Sequence, residues 1–190
     1  MPSRVIESGE QDQVLLLRFR QGDRAAFSTL VARYQKPIYN AAYRLLGNAD
    51  DADDVAQVVF LRIMERLDDY DPQYKFFSWI YRIAVNEAID LLRRTSREEP
   101  LADDADFPAP ESAGPERQYE AGQLGLRIQR ALMEMKMEDR VVLTLRHFAE
   151  CSYREMAEIL SLEEKTVKSR IFEARQRLCE QLKDLRPERT

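Results

Sequence analysis

A proline-rich acidic segment divides this chain of 190 residues into two short lengths. Residues 95–118 hold four of the eight prolines, and their two basic and seven acidic residues give a net charge of −5. Leu101 and Phe107 are almost the only large apolar residues there, and a charged segment with so little to bury cannot join a packed core. The sequence therefore predicts a flexible acidic linker over residues 95–118 between two small domains, residues 1–94 and 119–190.

The acidic linker also accounts for the overall charge of the chain. The formal net charge of the chain is −5, which taken alone argues against a nucleic-acid partner. The two predicted domains carry net charges of only −1 and +1, so the acidity belongs to the linker. DNA binding by either domain is therefore compatible with the composition.

Apolar residues recur at helical spacing in both lengths, whereas the strict alternation typical of a half-buried strand is hard to find. Pro37 suits the first turn of a helix, so one helix is expected to end before it and another to begin there. The acidic run at residues 50–54 favours the start of a further helix, because carboxylates are stable at a helix N-terminus. The spacing predicts nine helices and an all-α fold of two small bundles.

A helix-turn-helix pattern lies near the C-terminus. Residues 153–160 and 165–182 both show helical spacing, and a tight polar turn separates them, as in motifs that place their second helix in the major groove. Residues 165–177 contain five basic residues and one acidic residue, a local net charge of +4. Such side chains can bind phosphates and recognise guanine. The alternative is an ordinary amphipathic helix with a solvated basic face.

Six of the 17 aromatic residues fall between positions 70 and 81, interleaved with Lys75 and Arg82. Aromatic rings stack on unpaired bases with about 1–3 kcal/mol per base while cations hold the backbone, so the mixture suits single-stranded DNA. Core packing is the alternative, and composition alone favours it.

The acidic run at residues 50–54 has the residue types of a metal or acid–base site, but it lacks the glycine and the terminal glutamate of an EF-hand loop. A capped, solvated helix end is favoured, and protein binding stays open. Cys151 and Cys179 form no CxxC pair, and His147 is the only histidine, so no metal site, cofactor or catalytic residue is predicted. With neither a signal peptide nor an apolar membrane span, the chain is expected to be cytoplasmic.

Three motifs, in order along the chain, resemble the extracytoplasmic function (ECF) sigma factors of bacterial RNA polymerase. They are DDADDVAQVVFLRIMERL (residues 50–67), FFSWIYRIAVNEAIDLLRR (76–94) and SYREMAEILSLEEKTVKSRIFEARQRL (152–178). The resemblance implies a non-enzymatic initiation factor whose partners are core RNA polymerase, promoter DNA and an inhibitory anti-sigma factor, often membrane-bound. Residues 1–94 would form a region 2-like domain that binds polymerase and opens the minus 10 element. Residues 119–190 would form a region 4-like domain that recognises the minus 35 element.

Together with the patterns above, the resemblance assigns candidate residues to three contacts. Those expected to bind polymerase are Asp51, Asp54, Val55, Gln57, Phe60, Leu61 and Met64. Those expected at the minus 10 element are Tyr74, Lys75, Phe76, Trp79, Arg82 and Asn86. Those expected at the minus 35 element are Lys165, Thr166, Lys168, Ser169, Arg170, Phe172, Glu173, Arg175 and Arg177. Ser161 stands where many such turns carry glycine, so the turn is expected to form without a left-handed residue.

Two other functions compete with this interpretation. A dimeric helix-turn-helix regulator would bind DNA without polymerase, but it leaves the aromatic segment unexplained. An enzyme built on the aspartate run would show metal-dependent turnover.

Overall fold

The computed structural model describes the backbone of residues 4–98 and 115–183, and side chains within residues 11–95 and 123–183. These ranges contain eight α-helices and no strand, which confirms the all-α prediction. The helices are α1 (Arg4–Arg20), α2 (Arg24–Leu46), α3 (Ala49–Glu65), α4 (Phe76–Glu98), α5 (Pro115–Glu134), α6 (Met137–Leu143), α7 (Tyr153–Leu160) and α8 (Glu164–Gln181). Most of the predicted linker, residues 99–114, lies outside the described residues.

Helix α2 runs continuously through Pro37, so the predicted break at this residue is wrong. A proline inside a helix removes one backbone donor and costs about 3 kcal/mol. Tyr34 and Ile38, on either side of it, are both buried, and their packing against the neighbouring helices offsets this cost. Asp23 caps the start of the helix, where its side chain accepts hydrogen bonds from two backbone N–H groups, and Gly47, with φ of 75°, caps the end.

The first half of the chain packs α1, α2, α3 and α4 around a shared apolar core. A buried polar contact fixes α1 against α2, because the Asp12 carboxylate accepts from the Tyr34 hydroxyl and from the Arg33 guanidinium. Burial raises the pKa of Asp12, although both donors act to lower it.

The second half packs α5, α6, α7 and α8, with a π-helical turn (Thr144–Phe148) between α6 and α7. Arg177 of α8 forms an ion pair with Asp139 of α6, in which one guanidinium nitrogen, Nη1, lies 2.7 Å from both carboxylate oxygens. The two halves also contact each other, since α2 packs against α5 and α6, and α4 packs against α7. Buried apolar side chains from both halves thus form one continuous cluster.

Side chains of the second half cap the C-terminal end of α2. The Gln129 amide donates to the carbonyl oxygens of Tyr43 and Arg44 at 3.2 and 3.4 Å, and its oxygen accepts from Arg44 at 3.1 Å. The Arg140 guanidinium donates to the carbonyl oxygen of Leu45. Carbonyls in the last turn of a helix have no partner within the helix, so the second half supplies donors to the Arg44 and Leu45 carbonyls. The Tyr43 carbonyl also accepts from the Gly47 N–H at 2.8 Å.

Candidate nucleic-acid interface

The helix-turn-helix pair is formed by α7 and α8. The side chain of Ser152 accepts from the Glu155 N–H, and the Glu155 carboxylate accepts from the Ser152 N–H at 2.8 Å, which makes a capping box at the start of α7. The helix ends at Leu160, and α8 begins at Glu164 after three intervening residues. The predicted motif is present at the expected residues.

The turn uses a left-handed residue after all, so the expectation for Ser161 is wrong. Ser161 has φ of 54° and ψ of 45°, and its N–H bonds to the carbonyl oxygen of Ala157. The following Leu162 N–H bonds to the same carbonyl at 3.1 Å. A left-handed conformation costs a non-glycine residue about 1–2 kcal/mol, and these turn contacts offset part of that cost.

Helix α8 has one buried stripe and one exposed face. Val167, Ile171 and Ala174 are all at most 1% exposed and pack into the core of the second half. The opposite face exposes Lys165, Lys168, Ser169, Arg170, Phe172, Glu173, Arg175 and Arg177, whereas Thr166 is half-buried. The face is therefore available to a groove of DNA, as a recognition helix requires.

The basic residues of α8 differ in their existing partners. Lys165 and Arg170 make no ion pair with any residue that the structure describes. Lys168 pairs with Glu164 on the same helix at 2.7 Å, and Arg175 donates to the His147 imidazole at 3.0 Å.

Arg177 is engaged more strongly than these, because it pairs with both Asp139 and Glu173. The pair with Asp139 joins α6 to α8, so this guanidinium has a structural role. Among the described residues, Lys165, Lys168 and Arg170 make no ion pair with another helix, and Phe172 on the same helix is 63% exposed.

The aromatic segment divides between core and surface. Phe76 is 2% exposed and contacts Tyr34, Tyr70 and Trp79, so this residue belongs to the core and its predicted contact with DNA is not accessible here. Trp79 is half-buried against the Tyr70 ring. The exposed members are Tyr74, Lys75, Arg82 and Asn86, at the start of α4 and along one side of it.

Helix α7 covers part of this surface. The Lys75 ammonium pairs with the Glu155 carboxylate at 2.8 Å, and the Ser78 hydroxyl donates to the Glu158 carboxylate at 3.0 Å. The Arg82 guanidinium donates to the backbone carbonyl of Glu158. The sequence analysis missed the roles of Ser78, Glu155 and Glu158, because nothing in their local pattern signals a contact between residues about 80 positions apart.

Helix α3 presents the residues predicted to bind polymerase on two faces. Asp54, Gln57, Leu61 and Met64 are exposed, with Leu61 and Met64 at 53% and 46%. Val55 and Phe60 are only 4% and 9% exposed, so these two side chains pack α3 against the core. Asp51 is half-buried, and burial, together with the nearby Asp54 and Asp50 carboxylates, raises its pKa.

The acidic run at the start of α3 is a capped helix terminus. Asn48 is the N-cap, and its side-chain oxygen accepts from the Asp51 N–H at 3.0 Å. Within the described ranges no three His, Cys, Asp or Glu side chains are arranged to hold a metal ion. No described helix is long and apolar enough to cross a bilayer.

Each half of the chain matches a known protein family. Residues 30–98 match Sigma-70 region 2, and residues 125–178 match Sigma-70 region 4. The sequence is 34% identical over 185 residues to the RNA polymerase sigma-H factor of Pseudomonas aeruginosa, covering 93% of this chain and 96% of that one. It is also 34% identical over 177 residues to the ECF RNA polymerase sigma factor SigW of Bacillus subtilis, covering 87% and 94%.

The chain belongs to the ECF sigma factors. This family consists of transcription initiation factors, so the protein binds core RNA polymerase and promoter DNA. A solved structure of CnrH in complex with the cytosolic domain of CnrY has a TM-score of 0.68 with this sigma factor at 28% identity, covering 92% of this chain and 98% of that one. The family and fold inferred from the three sequence motifs are thereby confirmed.

Proposed function

We propose that this ECF sigma factor divides promoter recognition between its two halves. Residues 119–190 recognise the minus 35 element through α8, and residues 1–94 bind polymerase and open the minus 10 element. The observation that carries this proposal is the exposed basic face of α8, set on a buried stripe of Val167, Ile171 and Ala174. A helix anchored on one side and basic on the other has the form that inserts into a major groove.

In the minus 35 contact, Lys165, Lys168 and Arg170 bind phosphates or guanine edges, and Phe172 offers an apolar contact to a thymine methyl group. Thr166, Ser169 and Glu173 lie on or beside the same face, and Ser169 is 3.5 Å from the Glu173 carboxylate. Arg175 and Arg177 already bind His147 and Asp139, so we assign them the role of holding α8 in place.

In the minus 10 contact, Tyr74 stacks on an unpaired base while Lys75, Arg82 and Asn86 bind the backbone or base edges. Tyr74 is 51% exposed, and the Tyr70 hydroxyl fixes its backbone by donating to the Tyr74 carbonyl oxygen at 2.7 Å. Stacking and backbone contacts together offset the few kcal/mol that unstacking a base costs.

The exposed stripe on α3 is the proposed contact with polymerase. Asp54, Gln57, Leu61 and Met64 recur at helical spacing and combine two large exposed apolar side chains with a carboxylate. Exposed apolar residues that line one helix face are typical of a protein-binding surface.

Run-off transcription with purified core polymerase and a matched promoter tests these assignments. Leu61→Ala with Met64→Ala should reduce co-purification with core and transcription together. Arg170→Ala should reduce transcription from the matched promoter while binding to core stays normal. Lys136→Ala is the matched control, because Lys136 is an exposed lysine of the second half that lies outside α3 and α8. Normal transcription with both test variants would contradict the proposal.

We also propose that a second protein inhibits this sigma factor. The structure of CnrH, a protein of similar fold, was solved with the cytosolic domain of CnrY. A membrane-associated anti-sigma factor that presents a cytosolic domain fits a sigma factor located in the cytoplasm. The protein then acts as a specificity subunit without catalytic turnover of its own.

A further inference from the structure

The loop that carries Tyr74 is hydrogen-bonded to α1. This α3–α4 loop (residues 66–75) presents the Tyr74 side chain at 51% exposure. The Gln13 amide of α1 donates to the carbonyl oxygen of Pro72 at 3.1 Å. The Arg20 guanidinium of the same helix donates to the carbonyl oxygen of Leu67 at 2.7 Å. The backbone of the loop is therefore fixed to α1 at two points.

Tyr70 connects these contacts to Tyr74. The Tyr70 side chain is 5% exposed, and its hydroxyl donates to the Tyr74 carbonyl oxygen at 2.7 Å. Burial raises the pKa of this hydroxyl, and a hydrogen bond from the Gln13 side chain acts to lower it. Gln13 thus reaches both the loop backbone at Pro72 and the hydroxyl that holds the Tyr74 carbonyl.

Helix α1 is itself held firmly enough to fix the loop. Gln13 and Arg20 are seven positions apart, so they lie on the same face of the helix. Leu16, between them on that face, is 3% exposed and packs into the core. The buried Asp12 carboxylate bonds α1 to the Tyr34 hydroxyl of α2. The two donors therefore project from a helix whose position is set by packing.

The turn within the loop is closed by its own bonds but is not placed by them. The Asp71 carbonyl oxygen accepts from the Tyr74 N–H at 3.1 Å, and the Asp71 carboxylate accepts from the Gln73 N–H at 2.9 Å. These bonds fix the shape of the turn, whereas the bonds from α1 fix where it lies. A recognition residue on a loop is precise only when other residues hold that loop, and a loop ordered in advance loses less entropy on binding.

We propose that Gln13 and Arg20 are positioning residues for the minus 10 element. They hold the α3–α4 loop where Tyr74 meets an unpaired base, and they act through Pro72, Leu67 and Tyr70 without touching the base. This inference rests on the proposed role of Tyr74 at the minus 10 element. It adds that α1, which lies outside the residues that match region 2, helps to set the base preference there.

The test is promoter opening by the holoenzyme, measured by permanganate reactivity of unpaired thymines. The matched promoter is compared with promoters in which single minus 10 bases are replaced. Gln13→Met keeps the length, charge and helix preference of the side chain but removes its donor. We expect discrimination between matched and altered minus 10 bases to fall about three- to tenfold, with normal co-purification with core polymerase.

Gln21→Met is the matched control, since Gln21 is exposed near the end of α1 and its side chain makes no hydrogen bond within the described residues. It should keep native discrimination. A loss of folded protein would lower opening equally at every promoter. Such a uniform loss in Gln13→Met, with discrimination unchanged, would overturn the positioning role.

Trp79 reports on the loop independently of activity. It is the only tryptophan in the chain, and its ring centroid is 5.4 Å from that of Tyr70. Acrylamide quenching of its fluorescence should increase in the free Gln13→Met protein and stay native in Gln21→Met. Lost discrimination with unchanged quenching would mean that Gln13 contacts DNA itself, which would overturn the proposal.

Arg20→Met tests the second contact, and Arg24→Met is its control. Arg24 is also exposed, and it makes no ion pair in the part of the chain that the structure describes, so both variants lose one surface charge. Arg20→Met should lower discrimination and Arg24→Met should not. Equal losses would assign the effect to charge and refute the role of Arg20.

Tyr74→Ala in the same assay separates this inference from the proposed function. Native discrimination by Tyr74→Ala would refute the proposed role of the loop at the minus 10 element. Lost discrimination by Tyr74→Ala, with native discrimination by Gln13→Met and Arg20→Met, would refute the positioning role alone.

Discussion

His147 lies between two guanidinium groups at the edge of the second half. Its Nε2 atom accepts from Arg175 at 3.0 Å, and Arg146 is also near. Burial first, and then the two positive charges, lower the pKa of the imidazole below its ordinary value of 6.5. The neutral imidazole is therefore the acceptor that holds the Arg175 guanidinium of α8.

Titration of His147 should show this lowered pKa directly. Because it is the only histidine in the chain, its proton resonances in a pH series report on one site. We expect a pKa below 6.5 in the native protein and a rise toward 6.5 in Arg175→Met, which removes a neighbouring positive charge. Arg170→Met, on the exposed face of α8, should leave it unchanged. A native value at or above 6.5 would contradict the described geometry.

The lowered pKa of His147 also makes the free energy of unfolding depend on pH. A base with a lowered pKa in the folded state binds fewer protons than in the unfolded chain between the two pKa values. The contribution of His147 to the free energy of unfolding should therefore be intact above pH 6.5 and decline as the pH falls below it.

Individual residues show which positions the sequence patterns could assign to the core or the surface and which they could not. The patterns placed Lys165, Lys168 and Arg170 correctly on an exposed face, because charged residues opposite an apolar stripe have only one place to lie. They did not separate Phe76, which lies in the core, from Tyr74, which is exposed, because stacking on a base and packing in a core require the same ring. Only the path of the chain between α3 and α4 decides between the two.

At the scale of elements, the turn between α7 and α8 shows how local strain is tolerated. Ser161 adopts φ of 54° at the C-terminal end of α7, where glycine would avoid the steric cost. The capping box at the other end of α7, between Ser152 and Glu155, stabilises this short helix of eight residues.

Substitution of Ser161 by glycine should stabilise the protein. We expect the free energy of unfolding in urea to rise by about 1 kcal/mol, because the left-handed conformation no longer carries a Cβ penalty. The matched control is Ser169→Gly in the interior of α8, which should lower it by about 0.5 kcal/mol. Ser152→Ala should lower it by about 1 kcal/mol through loss of the N-cap. Destabilisation by Ser161→Gly would mean that the turn does not need a left-handed residue.

Helix boundaries illustrate the same balance between local preference and packing. Most of the helices were predictable from apolar spacing, since each buries one stripe against its neighbours. The predicted break at Pro37 was wrong. The sequence shows that an internal proline is costly. It does not show that Tyr34 and Ile38 are buried, which is a tertiary property and outweighs that cost.

At the scale of the whole molecule, the contact between the two halves was not predictable. The acidic segment at residues 95–118 indicated two domains, and the near-neutral charge of each gave no reason for them to associate. The contact depends on specific pairs far apart in sequence, Lys75 with Glu155 and Gln129 with the end of α2. Short-range patterns carry no information about such pairs.

The charge of the linker yields a prediction about the free protein. Asp103, Asp104, Asp106 and Glu111 lie outside the described residues, and the effect expected of them comes from their charge alone. A polyanionic segment repels DNA, and converting these four residues to their amides should raise DNA binding by the free protein a few-fold at low salt. The gain should vanish at high salt, where the repulsion is screened. Unchanged affinity at low salt would show that the linker is only a spacer.

The cap on α2 tests how strongly the interface couples the two halves. Among the described residues, the Gln129 side chain bonds only across the interface, to Tyr43 and Arg44. Replacing it therefore changes the contact between the halves without removing a described bond inside either one. Gln129→Met keeps a side chain of similar length and helix preference but leaves the Arg44 carbonyl without this donor, while the Tyr43 carbonyl still accepts from the Gly47 N–H. Each unsatisfied buried group costs about 1–3 kcal/mol.

We therefore expect Gln129→Met to lower the free energy of unfolding by about 1–3 kcal/mol in denaturant titration. It should also raise the radius of gyration measured by small-angle scattering, since every 1.4 kcal/mol taken from the closed arrangement shifts its equilibrium with an open one about tenfold. Gln123→Met, an exposed glutamine on the same helix, is the matched control and should change both quantities little. If Gln129→Met lowers stability and leaves the radius of gyration unchanged, the cap stabilises the fold but does not control the contact between the two halves.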